Sequence, residues 1–226
     1  MKILARIIAG LGLSCSAFAL ALQFSITIPE SMAAGRSLGL SILFYFSFFT
    51  ILANCVAVIF YAAQLLPFNF LRFLRRRSVA GAVTTAMAMV AMVYNLILSP
   101  QGAPQGESVL CDLILHYLAP ALMLAWWLVS ANGRAKLTSI VWWLGPPAIY
   151  MVFVYIRWLF VGEVSNPFLD PGLGLSRVLR GIVGIVILFV TTGLAVILLD
   201  KAVGQIKGRQ DQYRSSARYA SRRRLR

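Results

Sequence analysis

The segment VLCDLILHYLAPALMLAWWLV, from Val109 to Val129, carries the only histidine of the chain inside an apolar run. A run of about 20 mostly apolar residues is what a helix needs to cross a bilayer. An ionisable side chain at membrane depth is costly, so it faces the interior of a bundle or a water-filled cavity and marks a functional site. Pro120 follows four residues after His116. Lacking an N–H, it leaves the carbonyl of His116 without its helical partner. In hydrocarbon that carbonyl needs another donor, and a polar pocket beside His116 is the simplest expectation. Asp112 lies four residues earlier, on the same helical face. There it either orients the imidazole and raises its basicity or only marks the outer interface.

Five further apolar runs flank this one: Ile3–Phe24, Leu43–Leu66, Val79–Leu98, Thr138–Val161 and Val178–Leu199. With 60% hydrophobic residues in 226, little chain remains for a soluble domain. The expected fold is an all-α, polytopic transmembrane bundle of six spans over residues 1–200. Residues 201–226 form a basic tail, expected to be disordered and to lie near anionic headgroups.

The net charge of +14 alternates by loop and is not gathered on one folded face, which argues against nucleic acid. Arg72, Arg75, Arg76 and Arg77 follow the second run, Arg134 and Lys136 the fourth, and the basic tail the sixth. The other connections hold Glu30, Glu107, Asp112, Glu163 and Asp170. The positive-inside rule puts both termini in the cytoplasm, in a plasma or inner membrane. Ala17-Phe18-Ala19 imitates the end of a signal peptide, but the apolar run continues to Ile28, which favours a retained span. Cys15, Cys55 and Cys111 have no metal-ligand spacing, and nothing calls for a cofactor.

The remaining polar residues within the spans gather toward one side. Ser47, Thr50 and Asn54 share a face of the second span. Tyr94-Asn95 closes the third. Pro146-Pro147 should kink the fifth, and Tyr150 and Arg157 follow. At ~1.5 Å per residue, Thr50, Asn95, His116 and Arg157 all fall within ~4–13 Å of the outer surface, so one outward-facing pocket fits them. The loop Gly162–Leu175, with Asn166-Pro167-Phe168-Leu169-Asp170-Pro171, reads as a segment folded over its mouth.

Such a pocket supports an enzyme in which Thr50 attacks, His116 takes and returns the proton, and Asp112 or Asp170 orients the ring. Asn54 or Arg157 then stabilises the oxyanion, and Tyr150 and Asn95 complete the substrate wall. The alternatives are a non-enzymatic binder or transporter of a lipid or small amphiphile, and a structural membrane subunit. Singly, a threonine in such a helix usually bonds its own turn, and Arg157 at a span end reads equally as snorkelling to headgroups. The absence of a Gly-x-Ser-x-Gly elbow, a Walker loop and any lysine within a span disfavours an α/β-hydrolase, an ATPase and a Schiff-base protein.

Phe49-Thr50 with Asn54, Leu115-His116-Tyr117 with Pro120, Pro147 with Tyr150, and Pro167-Phe168-Leu169-Asp170 together resemble the androgen-induced-gene family of multi-span membrane proteins. They look more like its bacterial relatives, the Pr-six-Pr membrane proteins. The resemblance covers about Leu43 to Pro171. It implies a threonine hydrolase of fatty acid esters, with Thr50 and His116 in the two catalytic roles. The chain departs from the family pattern at Ala53, Ala125 and Asn166, and substrate identity does not follow from the resemblance.

Overall fold

Small residues decide how the first helix meets its neighbours. In a computed structural model, which describes residues 2–101, 106, 108–164 and 170–224, α1 (Lys2–Ala33) is one unbroken helix with Pro29 inside its last turns. Ala9 is fully buried against α3 (Phe49–Leu65). At Gly12 a Cβ would meet the ring of Tyr61 at 2.3 Å, so only glycine lets that tyrosine lie against α1. The helix is longer than the expected Ile3–Phe24 span by a polar stretch that reaches the cavity described below.

The second apolar run is not one helix. α2 (Leu38–Tyr45) and α3 are separate and bent by 75°. Hydrophobicity alone could not show the break, since the run is apolar throughout. Three contacts stabilise it: Ser47 Oγ bonds the carbonyl of Leu43 at 2.6 Å, Tyr150 donates its hydroxyl to the carbonyl of Ser47 at 2.9 Å, and Tyr45 donates to the carbonyl of Leu20 at 2.7 Å. The expected polar face of Ser47, Thr50 and Asn54 on one helix is therefore corrected: Ser47 sits in the turn and Thr50 in the first turn of α3.

α4 (Arg77–Val93) ends in a π-turn, Tyr94–Leu98. α5 (Ser108–Leu113) runs into a second π-turn, Ile114–Leu118, and on into α6 (Ala119–Ser130). The sequence expectation at Pro120 appears here in physical form: the opened helix is closed by a wider turn, with the N–H of Ala119 bonded to the carbonyl of Ile114. Where a kink was expected at Pro146-Pro147, Leu144 interrupts the helix between α7 (Ser139–Trp143) and α8 (Gly145–Val161), which together still make one apolar stretch, and the prolines stand at the start of α8, where their missing N–H groups cost nothing.

α9 (Leu175–Arg224) passes position 200 without interruption. Where disorder was expected after residue 200, the backbone is helical to Arg224. Lys207 explains its first part, because its ammonium donates to the carbonyls of Leu128, Val129 and Ala131 at the end of α6. Among the described residues there is no strand. Five helices are long and apolar enough to cross a membrane, or six if the bent α2–α3 pair is one span. Residues 165–169, which include Asn166, Pro167, Phe168 and Leu169, and Glu107 lie outside the described residues.

Candidate functional site

The α2–α3 break and the π-turn at Ile114–Leu118 bring Thr50 and His116 together. Thr50 Oγ1 lies 3.3 Å from Nε2 of His116. On the other side of the ring, Nδ1 is 2.9 Å from Oδ1 of Asp112, one helical turn away. That approach is close enough for an ion pair but off the line of the ring N–H, so Nδ1 makes no aligned hydrogen bond. Hydroxyl, imidazole and carboxylate thus form a continuous chain across α3, the π-turn and α5. Slack geometry in such a chain is common before substrate tightens it.

Asn54 fixes the spacing. One turn below Thr50, its side-chain amide donates to the carbonyl of Thr50 at 2.9 Å and to that of Leu115 at 3.4 Å. One fully buried side chain therefore ties the backbone of the hydroxyl residue to the backbone next to the histidine. With its N–H groups spent on these carbonyls, Asn54 is placed to position the pair, not to meet an oxyanion. The start of α3 offers other donors. Its first N–H groups have no capping side chain, while those of Ile51 and Leu52 return to the carbonyl of Phe48. The amides of Phe49 and Thr50, at the open end of the same first turn, are given no backbone or capping acceptor.

A cavity of about 400 Å³ opens beside this chain of groups, bounded by Thr50, His116 and Tyr150 and otherwise mostly by apolar side chains such as Phe49, Met89 and Phe189. That volume and lining suit a small amphiphile. Two features of the wall escaped the sequence reading. Tyr94 stacks on His116 and its hydroxyl interacts with Asp112. Gln23, Thr27 and Glu30 of α1 add a polar stripe, with Gln23 Nε2 bonded to Thr27 Oγ1 at 2.9 Å. Their spacing of four and three was the available signal.

Other expected residues are placed elsewhere. Arg157 is buried, and its guanidinium donates to the carbonyl of Glu163 at 2.8 Å and to Oε2 of Glu163 at 2.9 Å. Arg36 holds the other carboxylate oxygen at 3.0 Å. Arg157 is thus committed to a rim that also packs on Phe44, a cavity residue. Burial alone would raise the Glu163 pKa, but the hydrogen bonds and charges of the two guanidinium groups outweigh it and hold the carboxyl below its ordinary value. Asp170 accepts from the N–H of Gly172 at 2.8 Å and caps the short turn Pro171–Leu173. Asn95 bonds back to the carbonyl of Ala91 at 2.8 Å on an exposed face. Neither belongs to the cavity wall. Among the described residues no group of three His, Cys, Asp or Glu is placed to hold a metal ion.

Compared with protein-family models, with curated proteins and with solved structures, the chain finds no match.

Proposed function

We propose that the chain is an integral membrane hydrolase of lipid-like carboxylic esters, with Thr50 as nucleophile and His116 as general base. The observation that carries this reading is the run Thr50–His116–Asp112, of which Thr50 and His116 line an apolar cavity and Asp112 backs the ring from behind. The roles agree with those the resemblance to the androgen-induced-gene family implies.

With the imidazole proton on Nδ1, facing Asp112, Nε2 accepts the proton of Thr50 Oγ1 as that oxygen attacks the ester carbonyl carbon. Negative charge then develops on the carbonyl oxygen, where the amides of Phe49 and Thr50 can receive it. The bond to the alcohol oxygen breaks, and the alcohol leaves with the proton from Nε2. Water attacks the acyl-threonine, again passing a proton to Nε2, and the acid departs as Thr50 recovers its hydrogen. Asp112 favours the imidazolium formed twice in this cycle.

In this reading the α2–α3 pair is one broken span, giving six, and the loop charges put both termini in the cytoplasm. The cavity then opens to the outer half of a plasma or inner membrane. Irregular backbone at membrane depth is tolerated where it lines such a cavity, which fits the position of the break at Ser47.

The test is to label the purified, detergent-solubilised protein with a fluorophosphonate ester and map the adduct. An adduct on Thr50 that disappears in His116→Ala supports the reading. No adduct, in protein that melts cooperatively, overturns it and leaves binding of an amphiphile without turnover.

A further inference from the structure

A second hollow, of about 350 Å³, lies against the face of α9 that carries Gly181, Gly184 and Ile187. It shares one residue, Ile185, with the reaction cavity. The π-turn after α4 divides the same way, Leu98 lining the inner space and Ile97 the outer. Below this level the α4–α9 seam is shut: the Thr192 hydroxyl, bonded to the carbonyl of Leu188 at 2.7 Å, lies 3.3 Å from the sulfur of Met92 and 3.7 Å from that of Met89. Above it the seam is open. A Cβ built on Gly184 would meet nothing within 4 Å.

We propose that this outer hollow is a lateral entry through which one acyl chain of a bilayer phospholipid-type ester passes Ile185 to reach Thr50. The proposal rests on the hydrolase reading above and extends it to the source of the substrate. The groove walls of Ile97, Ile187 and Leu188 are matched to a hydrocarbon chain, and Ile187 is 57% exposed, open to whatever surrounds the bundle. Its only charged residue is Arg180, five residues into α9. Arg180 spends Nε on the carbonyl of Ser176 at 3.3 Å, so its two terminal nitrogens remain for a phosphate at headgroup depth. An ester substrate dissolved in a bilayer has no reason to cross water to reach a cavity that shares the wall residue Ile185 with this groove.

Gly184→Phe tests this, since Gly184 lines the groove and not the reaction cavity, and the site has room for a larger side chain. The protein is placed in phosphatidylglycerol vesicles containing a diazirine-bearing acyl chain and a fluorogenic ester lipid. In wild type we expect photo-adducts on the segments around Ile97 and Ile187. In Gly184→Phe these should fall at least fivefold and vesicle hydrolysis at least tenfold, while the rate of fluorophosphonate labelling in detergent stays unchanged. Absence of groove adducts in wild type, or undiminished vesicle hydrolysis in Gly184→Phe, overturns the lateral entry. Groove adducts that the substitution removes, in protein that hydrolyses nothing, uphold the lipid seat and overturn the hydrolase reading instead.

Discussion

Tyr94 lies flat on His116, with ring centroids 3.9 Å apart and planes inclined by only 15°. Two π-turns facing each other produce this stack, one ending α4 and one joining α5 to α6. Such turns recur at functional sites because the extra residue re-aims side chains. The stack restricts the imidazole to the plane in which Nε2 meets Thr50. Aromatic pairs are worth ~0.5–1.5 kcal/mol beyond area burial, and ~1.4 kcal/mol is tenfold in rate. Tyr94→Ala should therefore slow fluorophosphonate labelling of Thr50 by about tenfold. Tyr94→Phe, which keeps the stack and loses only the hydroxyl beside Asp112, should stay much nearer wild type.

The hydroxyl, imidazole and carboxylate predict a graded series. Thr50→Ala should give no adduct and no ester hydrolysis, whereas Thr50→Ser should retain measurable turnover. His116→Ala should lose on the order of 10²–10⁴ in rate, the range that positioned general bases supply. Asp112→Asn should lose less, because its carboxylate already sits off the line of the Nδ1 hydrogen. Initial rates on a fluorogenic ester, normalised to cooperatively melting protein, check the order. Asp112→Asn as damaging as His116→Ala would contradict it.

Asn54 predicts a positional effect. Asn54→Ala leaves the carbonyls of Thr50 and Leu115 without a shared donor, and an unsatisfied buried group costs ~1–3 kcal/mol. The melting temperature should fall. If Asn54 also sets the Thr50–His116 distance, the labelling rate of the remaining folded protein should fall as well, which a purely structural role would not require.

How far these relationships were legible differs by residue. His116 and Pro120 announced the local opening, because a missing N–H has a defined consequence four residues back. The six apolar runs placed the helices. The break at Ser47 was hidden in an unbroken apolar run, and it depends on the hydroxyl of Tyr150, 103 residues away in sequence. Arg157 reads as a free cation in sequence because its partner, Glu163, lies in a loop whose path the sequence does not give. Tyr94 was visible only as part of the pair that closes the third span, since stacking needs the rotation of two helices about their axes.

Glu163 predicts a pH effect at the rim. Its folded pKa lies below the ordinary value, so the folded state binds fewer protons than the unfolded chain. The stabilisation is present above the unfolded value of about 4.3 and is lost as pH falls through the folded one. The carboxylate side chain is 39% exposed, so the effect is modest. Melting curves in detergent from neutral pH to about pH 3 should show wild type more stable than Glu163→Gln at neutral pH and the two converging in acid. A gap that widens in acid would reverse the sign argued here.

Asp200 carries the strongest stability prediction. It is fully buried near the far end of α4 from Tyr94, pairs with Arg77, and accepts from the N–H groups of Asn132 at 3.0 Å and Ala135 at 2.9 Å. The Arg77 guanidinium also lies 3.4 Å over the ring of Trp127. The segment between α6 and α7 is pressed against α9 at Gly204 as well, where a Cβ would meet the backbone nitrogen of Gly133 at 2.4 Å, and Gly133 itself has φ +73°. Removing one partner of a buried pair costs ~3–5 kcal/mol because the other charge is left unpaired. Asp200→Ala should thus lower the melting temperature sharply. Arg77→Met with Asp200→Leu, which removes both charges, should lose less than Asp200→Ala alone. Gly204→Ala should also destabilise, since backbone cannot move aside as a side-chain tip can. The 17 residues of α4 at ~1.5 Å each place this cluster ~25 Å from the stacked ring. Labelling of Thr50, counted per folded molecule, should therefore be nearly unchanged in all three proteins. A collapse of labelling in protein that remains folded would instead couple the two ends of the bundle through α4.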